Sequence, residues 1–395
     1  LNARDYYHWW QRADLCYQHN QLLFCGRSVQ QLANQFGTPA FVYSATRVRD
    51  NLARLHAALN HAGLAGRFTL YYAMKANRFA PLLTLLKQTG LCGIDACSPA
   101  EVEHAVSCGF RPEDISFTAT SLSLRDLEQL ARYDGVFMDC DSIQAIDRWG
   151  RLKPGTAIGL RVNPAMGIGR ADNDKLHYAG TRTTKFGIYH EQFAQALDTA
   201  ARHGLRVTKI HFHTGCGYLT AQLDQLERII SQCCTFIDAA GTVERVNIGG
   251  GLGVPHLPGE QPLDLDQWAA VLRRLFGGRT LHLEVEPGDY IVKDAGLLLL
   301  EKTFVERKQT TTFVGVDGGF NIAPEPACYN LPFQPLPLHY DGSVCTPVTV
   351  VGNINEALDV WYADALLPDL ADHSHLALIN AGAYSASMAS NHCMR

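Results

Sequence analysis

The chain has 395 residues, 47% of them hydrophobic, and a formal net charge of −5 with its lysines and arginines scattered along it. That is enough apolar content for a large core, in two domains or in one large barrel with an addition, and it argues against disorder. There is no basic stretch for a nucleic acid or an anionic membrane, apolar runs such as AGLLLL are far too short to cross a bilayer, and LNARDYYHWW lacks a signal-peptide layout, so a cytoplasmic protein acting on a small molecule is expected. The 12 cysteines form no CxxC pair and no HExxH motif is present, so they read as free thiols of a reducing compartment, with no metal site.

In chain order, residues 1–40 hold one run, QLLFCGRSVQQLA, that resembles a strand without a sheet of its own. From residue 41 to 290 a single theme repeats: a short β-rich apolar run, a polar turn, then an amphipathic stretch that often closes on Gly. The runs are AFVYS, FTLYYAM, GIDAC, DISFTA, GVFMDC, AIGLRVN, VTKIHFHT, VERVNIGG and LHLEVEPG. About eight such units suit an α/β fold of the (β/α)8 barrel type better than an open doubly wound sheet. After residue 290 the pattern changes to β-rich runs between Pro and Gly turns, among them TTTFVGVDGGF, TPVTVVGNI and HLALINAGAY. Residues 291–395 are therefore expected to form a C-terminal, mostly-β domain that also takes in the N-terminal segment.

Chemistry in such a barrel sits at the C-terminal ends of the strands. Lys75, in YYAMKANRFA, ends one strand. A lysine there is ordinarily a solvated surface charge, but FTLYYAM is apolar enough to bury its surroundings and make it a candidate amine nucleophile or Schiff-base former. His213 in HFHTGCG ends a second strand, NIGGGLG a third, and Glu286 in EVEPGDY a fourth. A glycine cluster alone reads equally well as a tight turn, and a carboxylate at a strand end is costly without a cationic partner. Together, the lysine, a ring-stacking histidine, a phosphate cradle and a buried carboxylate are the four parts that hold pyridoxal 5'-phosphate.

With these residues in view, the chain resembles the barrel-fold pyridoxal phosphate decarboxylases, the family of the diaminopimelate, ornithine and arginine decarboxylases. YAMKAN, GIDACSPAE, LRVNP, KFGI, HFHTG, NIGGGLG, EVEPG, VDGGFN and AGAYSASMASN carry the resemblance, in order, over nearly the whole chain. It implies an alanine racemase-like barrel and a homodimer whose active sites are shared between subunits. It implies Lys75 as the lysine that binds the cofactor aldehyde, His213 stacked on the ring, Gly249, Gly250 and Gly251 as the phosphate loop, and Tyr384 as a further phosphate contact. Glu286 would pair with the pyridine nitrogen and keep the ring able to accept the electrons left when carbon dioxide departs. Asp95, Arg161, Glu101, Cys216 and Gly288 match other positions around the cofactor, with Cys216 where relatives often have serine.

Three departures bear on the substrate. The EPGR of the diaminopimelate enzymes is EPGD here, placing Asp289 where an arginine holds the distal carboxylate, and IRPALY is PEPACY, placing Glu325 where a second arginine stands and keeping Tyr329. In NINEALD, Glu356 and Asp359 are kept, but Asn355 replaces a cysteine that is a candidate proton donor, and Ala357 replaces a serine. An amide is a poor acid, so Lys75 or a water positioned by Asn355 is expected to supply the proton to the product carbon. Acids at Asp289, Glu325 and Glu356 suit a distal ammonium and repel a distal carboxylate. The pattern resembles the bacterial D-ornithine/D-lysine decarboxylases, so D-lysine and D-ornithine are the expected substrates, giving cadaverine and putrescine. L-lysine, L-ornithine, a carboxylated polyamine precursor and meso-diaminopimelate are the alternative substrates, and a catalytically silent regulatory homologue is the alternative class. The resemblance also implies further residues after SMASNHCMR.

Overall fold

The computed structural model describes residues 3–170, 173–176, 182–371 and 373–395. Its contacts divide the chain into two compact units, one of residues 51–253 and 262–290, the other of residues 1–50, 254–261 and 291–395.

The first unit is a closed barrel of eight parallel strands: Phe68–Ala73, Cys92–Ala96, Ile115–Thr118, Phe137–Cys140, Ala157–Arg161, Arg206–His211, Arg245–Asn247 and His282–Val285. The last pairs with the first, with Leu283 opposite Phe68, which closes the ring. Parallel strands covered by helices are buried on both faces, and Ile115–Thr118 is buried at every residue. The helices start where the sequence supplies a cap. Ser98, Ser123 and Ser142 accept hydrogen bonds from the amides of Glu101, Asp126 and Ala145, so each strand hands over to its helix within a few residues. Gly90, with φ +65°, ends Ala80–Thr89 in the left-handed turn that spares a Cβ.

The barrel interior is not purely apolar. Lys209, with no exposed surface, reaches Asp139 at 2.7 Å, Glu284 at 3.1 Å and the Ser116 hydroxyl at 3.1 Å. Thr118 also donates to Asp139 at 3.1 Å, and Lys209 Nζ lies 4.2 Å from the centroid of the Phe137 ring. Gly159 makes room for this layer: a Cβ there would lie 1.8 Å from Asp139 Oδ1 and 2.9 Å from Lys209 Cε.

In the second unit, the N-terminal strands Leu15–Gln18, Gln21–Phe24 and Arg27–Ser28 form a small antiparallel sheet. A larger sheet runs Pro335–Pro337, His375–Leu378, Gly296–Lys308, Thr311–Val316, Thr346–Val351, Val360–Leu367, and the run AGLLLL lies in its long strand. Tyr6, Trp10, Leu22, Leu298, Phe333, Trp361 and Leu376 belong to one core, so the N-terminal segment and the C-terminal strands are buried together. The fold class expected from the sequence is thus found, with one correction in detail. Ala40–Tyr43, the first of the nine β-rich runs, is not a barrel strand but pairs antiparallel with Gly296–Lys308. A strand followed by a helix has the same local pattern in either sheet, so periodicity could not assign it.

All 12 cysteines are free thiols, and among the described residues no helix is long and apolar enough to cross a membrane. Gly159→Ala is expected to lower stability by about 1–3 kcal/mol, because a methyl cannot enter the charged layer without displacing it. Urea unfolding of the variant beside the parent protein measures this.

Candidate active site

Lys75 sits in the 3-10 turn Met74–Ala76 that immediately follows the first barrel strand. Its Nζ is 3.1 Å from Asp95 Oδ2; the lysine side chain is 47% exposed and the aspartate 2%, so an amine at the rim is aimed by a buried acid. Asp95 lies on the neighbouring strand, in register with Ala73. Burial, with Glu286 nearby, pushes the Asp95 carboxyl up to about 6, against the opposing pull of Lys75 and His211.

Glu286 follows the last barrel strand and is buried. Its carboxylate accepts from Asn247 Nδ2 at 2.7 Å and faces His211 Nε2 at 3.1 Å. Burial raises its pKa while Lys75, Lys209 and Arg161 lower it. His211 is itself driven down to about 3 by burial, so it stays a neutral imidazole, and the carboxylate beside it places the ring proton on Nε2. Among the described residues His211 Nδ1 has no hydrogen-bond partner. His213 is likewise held neutral by burial, with Arg161, Lys75 and His211 adding to the effect. Its Nδ1 accepts from the Gly250 amide at 3.4 Å, and Cys216 Sγ lies 3.8 Å from its Nε2. Arg161 ends its strand with the guanidinium 4.9 Å from the Phe186 ring centroid.

The glycine loop is shaped by close approach. A Cβ on Gly250 would lie 2.1 Å from the Glu286 carbonyl oxygen, one on Gly251 2.1 Å from that of Gly215, and one on Gly249 2.7 Å from His213 Nδ1. Gly249 and Gly251 also have φ of +69° and +92°. The loop is pinned at its root by Asn247 Oδ1, which accepts from the Gly249 amide at 2.9 Å. At Gly288 a Cβ would come within 3.1 Å of the Cβ atoms of Ala73 and Ala76, so this glycine lets the strand-end segment pass close to the Lys75 turn. Glu101 is occupied locally, accepting from the Cys97 amide at 2.8 Å.

The barrel therefore gathers Lys75, Asp95, Arg161, His213, Cys216, Gly249, Gly250, Gly251, Glu286 and Gly288 on the C-terminal ends of its strands or the loops that follow them. Asp289, half-buried, belongs to the same unit and begins the short helix Asp289–Val292. A cavity of about 790 Å³ opens elsewhere, among Phe68, Cys92, Arg245 and His282 at the starts of the strands, and none of these predicted residues lines it. His211 and Asn247, which grip Glu286 and the glycine loop, escaped the sequence reading.

The remaining predicted residues belong to the β unit. Glu325 is buried and ion-paired with the fully buried Lys293, so its charge is already compensated, which the reading of it as an acid open to an ammonium did not anticipate. Tyr329 ends the short helix Glu325–Tyr329. Lys293 also lies 5.8 Å from the ring centroid of Tyr384, which has φ +50°. Asn355 and Glu356 are exposed, and Glu356 meets His392 at 3.2 Å. Their loop is anchored by buried Asp359, whose carboxylate accepts from the amides of Phe320 at 2.8 Å and Ile354 at 2.7 Å.

Comparison with known proteins agrees with this arrangement. The family described as pyridoxal-dependent decarboxylase, pyridoxal binding domain, matches residues 47–293. The diaminopimelate decarboxylase of Methanothermobacter thermautotrophicus is 34% identical, over 95% of this chain and 88% of its own. That of Escherichia coli K12 is 30% identical over 92% of this chain and 88% of its own. The crystal structure of AQ1208 from Aquifex aeolicus superposes with a TM-score of 0.85 at 25% identity, covering 99% of this chain and 91% of that one.

Two outcomes follow from the barrel geometry. Because the folded pKa of Asp95 lies above its ordinary value, the native state holds a proton that the unfolded chain releases. Its contribution to stability is full below about pH 4 and is lost as pH rises through about 6, by up to about 3 kcal/mol. Asp95→Asn should therefore gain stability relative to the parent protein between about pH 4.5 and pH 7, read by urea unfolding at both. Gly250→Ala should weaken retention of a phosphorylated ligand by about tenfold or more, since the loop must move off Glu286, and equilibrium dialysis measures it.

Proposed function

The chain belongs to the pyridoxal-dependent decarboxylase family, and on that premise we propose that it decarboxylates a diamino acid whose far amino group has no carboxylate beside it, D-lysine and D-ornithine first. It is a pyridoxal 5'-phosphate-dependent enzyme, and its residues fit that cofactor. A half-exposed amine at Lys75, a loop from Gly249 to Gly251 with no room for a Cβ, and the buried acid Glu286 answer respectively to an aldehyde, a phosphate and a pyridine nitrogen. When bound, the cofactor supplies an electron sink for the pair left by departing carbon dioxide.

The chain's own groups then have separate tasks. Lys75 Nζ would hold the cofactor by its aldehyde and, in our assignment, carries the proton delivered to the product carbon, with Asn355 able only to position a water. Glu286, gripped by His211 and Asn247, would hold a proton on the cofactor's ring nitrogen by staying charged. Neutral His213 would cover one face of the ring, with Arg161 close enough to help keep it neutral and Cys216 Sγ 3.8 Å from it, and Tyr384 is assigned to the phosphate. Tyr329 and Glu356 are assigned to the substrate.

The observation that carries the substrate choice is Asp289, a half-buried acid in EPGD where the diaminopimelate enzymes have an arginine. Glu325 is ion-paired with Lys293, so the argument is placed on the acid-for-arginine exchange at position 289 alone. Like charge across a binding interface costs roughly several kcal/mol, which disfavours a distal carboxylate there. Meso-diaminopimelate is the second reading, favoured by relatives of 34% and 30% identity that carry its decarboxylase's name. We also read the enzyme as a cytoplasmic homodimer: 12 free thiols suit a reducing compartment, and the exposed loop with Asn355, Glu356 and half-exposed Leu358 suits a subunit contact.

Carbon dioxide release from D-lysine, D-ornithine, L-lysine and meso-diaminopimelate, measured side by side, tests the reading. D-lysine or D-ornithine should give the highest kcat/KM, and Asp289→Arg should move preference toward meso-diaminopimelate by about tenfold or more. Preference for meso-diaminopimelate in the parent protein would overturn it.

A further inference from the structure

The interior of the barrel carries charged groups that the chemistry above does not use. Lys209 lies two residues before His211 on one strand, Glu284 two before Glu286 on another, and Arg245 two before Asn247 on the strand between them. Side chains two apart along a strand point to the same face, so buried Lys209 and part-exposed Arg245 are placed beneath His211 and Asn247, and buried Glu284 precedes Glu286, which follows its strand directly. The two layers meet at Asn247. Asn247 Nδ2 donates to Glu286 Oε1 at 2.7 Å and lies 3.4 Å from Glu284 Oε2. Glu284 in turn is held by Lys209 at 3.1 Å and by Arg245 at 3.4 Å.

We propose that Lys209, through Glu284 and Asn247, is a positioning residue for Glu286, fixing the orientation and the charge of the carboxylate that faces the cofactor's ring nitrogen. The inference rests on the assignment of Glu286 made above. Its physical content is simple. Asn247 can turn its amide hydrogens toward Glu286 only while Glu284 and the Gly249 amide hold it in place. Glu284 can be buried as an anion only while Lys209 and Arg245 answer it. Lys209 itself remains a cation, because Asp139 and Glu284 outweigh the burial that opposes its charge. With Lys75 and Arg161 it is also one of the cations that favour ionised Glu286, while Asp95 is the neighbouring acid, and His211 is the remaining ring against it.

Loss of Lys209 should therefore act at a distance. In Lys209→Met holoenzyme, the acid-side pH transition of the bound cofactor's visible absorbance should move upward by about one unit, and cofactor affinity should fall by about tenfold. The upward sign follows because removing a cation makes Glu286 easier to protonate. If the single variant does not fold, Lys209→Met/Asp139→Asn, which removes the cation together with its nearest acid, is read the same way. Glu286→Gln serves as the reference. If it leaves the absorbance transition unmoved, the assignment of Glu286 fails and the inference with it. If it moves the transition but both Lys209 variants bind cofactor with parental affinity and parental pH dependence, the charged layer serves barrel packing alone and the inference is overturned.

Discussion

In the assignment proposed above, Glu286 stays charged where water hardly reaches, and the groups packed around it bear directly on that charge. Burial alone would drive it to accept a proton. Two hydrogen-bonding neighbours, His211 and Asn247, and the cations Lys75, Lys209 and Arg161 oppose this. The histidine is kept neutral by the same burial, so it contributes a dipole rather than a charge and remains a directed N–H donor. Closing eight strands into a ring brings these groups, distant in sequence, together in one barrel.

The sequence was most legible where chemistry demands an unusual residue in an apolar setting. Lys75, His213, the glycine loop and Glu286 each stood out against buried strand patterns, and the barrel places them on neighbouring strand ends. The residues that hold them were equally visible in principle. In VTKIHFHT the polar residues Lys209, His211 and His213 alternate with Ile210 and Phe212, and in LHLEVEPG Glu284 and Glu286 flank Val285. That alternation in otherwise buried strands signals side chains turned into the barrel, but reading each run only as a strand discarded it.

What sequence could not show is compensation between distant positions. Glu325 reads as an acid where an arginine is expected, yet Lys293, far back in the chain, forms an ion pair with it in the β unit. A substitution that seems to reverse the charge of a site can therefore leave it near neutral. The same blindness to partners explains Ala40–Tyr43, whose pattern fits the barrel repeat but whose hydrogen bonds go to Gly296–Lys308.

That pairing has a consequence for how the polypeptide is made. Synthesis proceeds from the N-terminus, so the strand Ala40–Tyr43 and the aromatic cluster of Tyr6, Tyr7 and Trp10 emerge early, while the strands that bury them belong to residues 296–378. The barrel unit, nearly continuous in sequence, has all of its strands present before Ala40–Tyr43 can pair with Gly296–Lys308. Until residues 296–378 are made, these aromatics are thus exposed apolar surface, a vulnerability to misassociation that follows directly from a domain whose parts flank the barrel in sequence.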